Sequence, residues 1–384
     1  MRATCVMTAA VVAVVLGTSR SADAEPRFLS KQYTRCTTCH ISPTGGGLLS
    51  AYGRSLSHRE LSTTGAPMPS HGEMDPKPGE ESFLWGALGE SLGPVHLGVD
   101  LRPSYLHYSF LDVSTDRNLL MTADVQAAVK VNNWVFYGQI GRELETDSRT
   151  FQPKHVLDSN EYWGGYQPAE GIGFRAGRFL PAYGIRFSDH TSYNRMLLGL
   201  AQYDQVYAVE VSHTRGRYLT QVSLGPGRAE SVIDDDGRAA FTATGRFQVD
   251  FGSRTSLATS GLFRAESDDE PALGSAGVAF GFAPASRLST WTQVDRLFRD
   301  GSDSNAWVIA NETSFEVYRG IWAVVTPQAR LGGGAAVPDL LRFGVGTVLL
   351  PRTHFNVNLH YYRDRNRTTD ITTQIFLAQL HLYL

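Results

Sequence analysis

From about Val95 to the C-terminus, apolar and polar residues alternate with period two in one segment after another, each ending at turn residues. That is the pattern of β-strands with a different environment on each face. Leu119 to Val131 is the clearest case: Leu119, Met121, Ala123, Val125, Ala127, Val129 and Val131 share one face, and Thr122, Asp124, Gln126 and Lys130 the other. The alternation recurs over 134-142, 171-180, 203-213, 216-224, 239-251, 254-264, 273-282, 287-298, 305-317, 321-330, 339-350, 353-363 and 371-384, with no helical period between. A soluble sandwich would alternate too. So many repeats, each near the roughly 9 to 11 residues a tilted strand needs to cross an outer membrane, favour a transmembrane barrel.

Short and long connections alternate, and such barrels keep the short turns on the periplasmic side. Short ones fall near Asn132-Asn133, Gly252-Ser253, Arg319-Gly320 and Pro351-Arg352; long ones include Gly141 to Asn160, Pro181 to Gln202 and Gly225 to Arg238. Counting from Val95, and including a strand at about Glu161 to Tyr166, the reading is an all-β fold: a roughly 16-stranded antiparallel transmembrane β-barrel over residues 95-384. Trp134, Tyr218, Phe251, Trp322 and Tyr383 suit its interfacial girdles, and Phe376, Ala378, Leu380, Leu382 and Leu384 form an outward row in the last strand. Residues 81-94 are left as a connecting segment, whose strand-like piece Phe83 to Leu92 is expected in the lumen or at the periplasmic mouth.

The N-terminus reads differently. Arg2, an apolar run from Cys5 to Gly17 and the small-x-small site Ala22-Asp23-Ala24 make residues 1-24 a cleaved signal peptide, too short to span a bilayer. Export then places the chain in the outer membrane of a Gram-negative cell, with lipid and lipopolysaccharide as neighbours. The composition agrees: 384 residues hold 38 Gly, 19 Phe, 16 Tyr and 6 Trp with 19% charge, and a net charge of -3 gives no sign of a nucleic-acid partner. No apolar run of about 18 residues follows the signal, so any crossing must be made by strands.

Residues 25-80 carry the chemistry. Cys36-Thr37-Thr38-Cys39-His40 is the spacing at which two thiols each bond one haem vinyl and the adjacent imidazole becomes the proximal ligand of the iron. A disulfide or half a zinc site are the alternatives. Of 3 Cys, Cys5 leaves with the signal, so no second pair exists to complete a zinc site, and a redox disulfide needs no following histidine. The expectation is one covalent haem c on Cys36, Cys39 and His40, with His58 ranked first and Met68 second as distal ligand, His58 because a helix would hold it. Leu48, Leu49, Tyr52, Leu56 and Leu61 approximate a helical stripe, read as covering a haem face rather than packing on a barrel wall. Gly65 to Glu80 is a linker, and the whole unit is expected as a plug in the pore. On the wall, Arg175 between Gly173 and Gly177 offers a fork to a haem propionate, or else lines the channel as an ordinary porin arginine.

Pro26, Phe28, the Cys36 to His40 pentad, Pro43, Leu48 and Tyr52-Gly53-Arg54, followed by a barrel, resemble the fused monohaem cytochrome-porins of outer membranes, which include iron oxidases. Gly45-Gly46-Gly47 departs from the iron oxidases and is closer to single-haem barrels of metal-respiring bacteria. Ala176 to Pro181 with Tyr183-Gly184 resembles a porin motif ahead of an inward-folding loop. The resemblance implies electron transfer between an extracellular donor or acceptor, Fe(II) among them, and a periplasmic c-type cytochrome, with chemistry at the iron and no catalytic side chain. A porin for small solutes or anions, with the haem unit as plug or docking module, is the alternative, and a haem sensor comes third. The acidic clusters Asp234-Asp235-Asp236 and Glu266, Asp268, Asp269, Glu270 offer hard oxygen ligands to a divalent cation but read more simply as solvated loops, as does Asp189-His190.

Overall fold

The computed structural model describes residues 26–63 and 91–383 apart from 112, 147–152, 160, 190, 202–203, 229–240, 267–271, 300–304 and 333–337. The signal peptide, the 65–80 linker, Met68 and the acids Asp234-Asp235-Asp236, Asp268, Asp269 and Glu270 lie outside the described residues, as does Phe83 to Leu92 except for Ser91 and Leu92, which pair with His96 and Val95.

From Val95 onward an antiparallel sheet closes on itself. The first strand, Val95–Phe110, pairs with the second, Val113–Val131, and also with the last, Ile371–Tyr383. Pro153–Asp158 and Tyr162–Ala169 both pair with Trp134–Thr146 and are two halves of one interrupted strand, so the ring has sixteen members. Closure leaves no edge, so every strand in the ring has hydrogen-bonding neighbours on both sides, as the absence of water in lipid demands. No helix among the described residues is long and apolar enough to cross a membrane.

Alternation sorts the faces. Along Leu273–Ala285 most odd positions are buried and most even ones exposed, along Ala306–Tyr318 most even positions are buried and the odd ones face outward, and Val125, Ile140, Phe263 and Phe343 are among the large apolar side chains left bare on the outside. Inside, Gln221, Gln248, Gln293 and Asp295 are buried. Two expectations are corrected. Opposite Arg102 the second strand carries an extra residue, the register passing from Leu101↔Ala123 to Pro103↔Leu120; this bulge turns Leu119 and Met121 into the lumen, away from the face of Val125. Trp322 and Tyr383 are not girdle residues: Trp322 is fully buried against the N-terminal segment, and Tyr383 packs beside it.

Residues 26–63 lie inside the barrel. A 3-10 turn, Pro26–Lys31, and a second, Cys36–Thr38, lead into a tight hairpin in which Ile41 N donates to Leu48 O at 3.0 Å and Ser50 N to Cys39 O at 2.8 Å. The connecting Gly45, Gly46 and Gly47 all have positive φ, 78°, 76° and 63°, a run that only glycine tolerates without strain. Ser50 caps the single-turn helix α1, Ala51–Leu56, by accepting from Gly53 N, and a wider turn, Ser57–Leu61, follows. The expected helical stripe therefore divides. Leu48 precedes the helix and packs on Tyr137, Trp163 and Phe179, whereas Leu49, Leu56 and Leu61 pack with Tyr33 and Cys39 on the wall residues Trp322, Val324, Val348 and Leu350. Lys31 meets Glu316 at 2.5 Å and Arg35 meets Asp250 at 2.8 Å, tying plug to wall. Contacts of Thr63 with Leu350 and Pro351, and of Arg35 with Gly216, set the plug at the end of the short turns.

From the opposite end the segment 180–205 folds inward. Tyr183 Oη reaches Ser275 and Asp295, each at 2.8 Å, Ile185 N donates to Gln293 and Tyr193 N to Gln328, so the loop is stitched across the lumen to distant strands. It carries one turn of helix, α2, Tyr193–Met196.

Candidate functional site

Between the plug, the inward loop and one side of the wall lies a cavity of about 560 Å³. Cys36, Cys39 and His40 all border it, together with Gly45, Gly46 and Gly47. Local structure brings the three together: the 3-10 turn hydrogen-bonds both Cys39 N and His40 N to Cys36 O, and the hairpin pairs His40 with Leu49. Neither cysteine forms a disulfide, and no group of three or more His, Cys, Asp or Glu side chains gathers in a metal-binding arrangement among the described residues.

The hairpin turn fits around its neighbours with no room to spare. A Cβ on Gly45 would lie 3.0 Å from Cys36 Sγ, one on Gly46 2.6 Å from Arg186 Nη1, and one on Gly47 2.5 Å from the Tyr137 hydroxyl. Gly53 is equally constrained, since its Cβ would lie 2.3 Å from Cys39 O. The roof comes from the inward loop, where Arg186, Phe187, Ser188, Asp189, Arg195 and Met196 face the cavity. On the wall side, Asp100, Arg102, His360, Tyr362 and His381 face it.

The candidate residues separate. His58 does not border the cavity: its Nδ1 lies 2.8 Å from Thr353 Oγ1, because the wide turn after α1 directs it to the short-turn rim, while Ser57 beside it faces the cavity. Arg175, buried, pairs with Glu210 at 2.9 Å, donates to Ser42 and Thr44 at 3.2 Å and stacks 3.8 Å over Phe179. Its fork is taken up by the protein, holding the hairpin to the wall, and it is not among the residues bordering the cavity. Asp189 accepts from Thr191 N and Oγ1 and faces Arg342 at 3.8 Å, which makes it a loop-capping residue; His190 lies outside the described residues. Glu266 is exposed.

No protein-family model matches the sequence, and no curated protein matches it by sequence. The fold, however, has clear counterparts among solved structures. It is similar to OprB of Pseudomonas putida, with 7% identity over 76% of this chain and 94% of that one and a TM-score of 0.58. It is likewise similar to the anion-selective porin of Comamonas acidovorans (9% identity, 76% and 99% covered, TM-score 0.55) and to the outer membrane channel DcaP of Acinetobacter baumannii (10%, 76% and 99%, 0.52). The architecture is a porin-type barrel. At these identities the likeness concerns the fold alone.

Sequence reading missed Arg186, Arg195, His360 and His381. Period two did hold a signal for the histidines, since Asn356, Asn358, His360 and Tyr362 share the parity of the inward face. The two arginines had none, because a loop has no period from which to read direction.

Proposed function

We propose that this protein is an outer-membrane electron-transfer barrel, carrying one covalent haem c in the cavity beside Cys36, Cys39 and His40. It would relay electrons between an extracellular donor or acceptor, Fe(II) among the donors, and a periplasmic c-type cytochrome. The observation that carries the reading is that both thiols and the imidazole of the pentad border one cavity inside a porin-type barrel. The residues present fit the group: Cys36 and Cys39 are not in a disulfide, His40 follows at once as proximal ligand, and the glycine hairpin allows the backbone to turn closely around Cys36. A haem bound there supplies one-electron chemistry at its iron.

The chain's own contribution is position and exclusion of water. Leu49, Leu56 and Leu61, which border the cavity while packing on Trp322 and Leu350, give it a dry floor, and burial of that kind is one lever on redox potential. Plug and inward loop together bring protein into the bore of a wall whose apolar band is about 25 Å tall, a distance that would insulate a cofactor hanging outside. The bare Val, Ile and Phe side chains of the outer face support a lipid surround, and with it the outer-membrane assignment.

A second reading, a channel for small solutes or anions with residues 26–63 as plug, draws support from the porin-type neighbours, one of them described as anion-selective, and from the arginines in the cavity. One experiment separates the two. A haem-stained gel with oxidised and reduced visible spectra should show covalent haem in the wild-type protein and none in the Cys36→Ala, Cys39→Ala double variant. Absence of stain in the wild type, together with large single-channel currents, would replace the first reading with the second.

A further inference from the structure

Five arginines border the cavity: Arg27, Arg102, Arg186, Arg195 and Arg342. Arg102 is paired with Asp100 at 2.6 Å and Arg342 with Asp364 at 2.7 Å, and Arg27 Nη2 donates to Ser188 Oγ at 3.1 Å. Arg186 and Arg195 differ. The hydrogen bonds of Arg186 go to the Gly45 carbonyl, and those of Arg195 to the carbonyls of Leu200 at 3.2 Å and Phe187 at 3.0 Å; neither makes an ion pair with a carboxylate among the described residues. In each, Nη2 takes no part in those bonds. The nearby acids are engaged elsewhere, Glu161 with Ser42, Trp163 and Arg175, and Asp189 with Thr191 and Arg342.

Two cations held in one roof with no carboxylate in direct contact, only the more distant charges of Glu161, Asp189 and Asp204, are unfavourable for the protein alone. Burial, and then the charge of Arg186, bring the Arg195 guanidinium down to about 9, with Asp189 and Asp204 opposing only in part, and burial lowers the half-buried Arg186 as well against the opposing charge of Glu161. Isolated buried charge is retained where something else neutralises it. Placement adds to the argument: a Cβ on Gly46 would run into Arg186, and Gly45 abuts Cys36, so the guanidinium sits over the glycine turn that packs beside the first cysteine of the pentad.

We infer that Arg186 and Arg195 form an oxyanion site in the roof of the cavity, built for a pair of carboxylates or a dianion of similar size. On the proposed function, on which this source of the ligand rests, the anions are the two propionates of the bound haem, which makes this loop pair, and not Arg175, the propionate clamp. The same forks would take a free dianion if the cavity held no ring, since planar guanidinium donors match carboxylate and phosphate oxygens alike.

The test has two arms. In the haem-loaded protein, Arg186→Gln is expected to lower the midpoint potential in a spectroscopically followed redox titration, because losing a positive charge favours the oxidised iron, and Arg186→Lys should restore most of the shift. In the Cys36→Ala, Cys39→Ala barrel, inorganic phosphate added to a planar bilayer should block residual current, and Arg186→Gln should weaken that block by roughly ten- to a hundredfold, the range for hydrogen bonds to charged groups. Arg195 also staples its loop, so Arg195→Gln is scored only when heat-modifiable gel migration shows a folded barrel, and Arg186 decides alone when it does not. Should the wild type carry no haem while phosphate block still depends on Arg186, the oxyanion site stands and its occupant is a diffusible anion. A midpoint unchanged by Arg186→Gln, together with phosphate block that ignores both arginines, overturns the inference.

Discussion

At the residue scale, single atoms decide whether the pentad can sit where it does. Gly53 is in the middle of α1, where glycine normally weakens a helix, and it is there because a Cβ would fall 2.3 Å from the Cys39 carbonyl. Gly53→Ala must displace that backbone. It is expected to destabilise the docked plug by about 1–3 kcal/mol, the usual effect of overpacking, read from thermal unfolding in detergent, and, on the proposed function, to reduce haem staining in a gel. Arg175 supports the same hairpin from the wall. Its side chain and that of Glu210 are 2% and 1% exposed, so Arg175→Ala leaves a carboxylate buried without its cation, at a cost of about 3–5 kcal/mol by the same measurement. Replacing both with apolar residues of similar volume should recover much of the loss.

At the element scale, the plug is a short chain held by the barrel rather than by a core of its own, so its docking responds to charge at a few points. Glu60, in the turn after α1, accepts a hydrogen bond from the Tyr33 hydroxyl at 3.1 Å. Burial raises its carboxyl above the ordinary 4.5, and the hydrogen bond from Tyr33 and the charge of Lys31 only partly oppose that. The native state therefore holds this proton more tightly than the unfolded chain. Its contribution to stability is present in full below the ordinary carboxylate value and is lost as pH rises through the elevated one. A series of melting midpoints across that window should decline for the wild type, and Glu60→Gln should flatten the decline. Equal slopes in the two proteins would remove Glu60 as the cause. Arg35 and Asp250, an ion pair 2% exposed on both sides, tie the segment just before Cys36 to the wall; Arg35→Ala is expected to loosen the plug, seen as higher conductance.

At the scale of the whole molecule, a sixteen-stranded ring is wide enough to leave a channel, and here the bore is occupied from both ends by residues 26–63 and the 180–205 loop. Deleting residues 26–63 should leave a folded barrel and raise single-channel conductance severalfold in planar bilayers; unchanged conductance would mean that the plug does not obstruct the pore. The strands were legible in the sequence because lipid on one face and a polar lumen on the other impose period two, and because closure demands the even count reached from the turns. The pentad was legible because its spacing is local: Cys36, Cys39 and His40 share one turn of chain whatever surrounds them. Which side chains meet across the bore was not. Arg186 over Gly46, Arg175 on Ser42, His58 on Thr353 and Trp322 against the plug are contacts between segments more than a hundred residues apart, set by register, by a bulge at Met121–Thr122 and by the path of an inward loop. Periodicity fixes which face a strand residue takes, but it carries no information about height in the bore or about what enters from the ends, and those two quantities place the cavity and choose its lining.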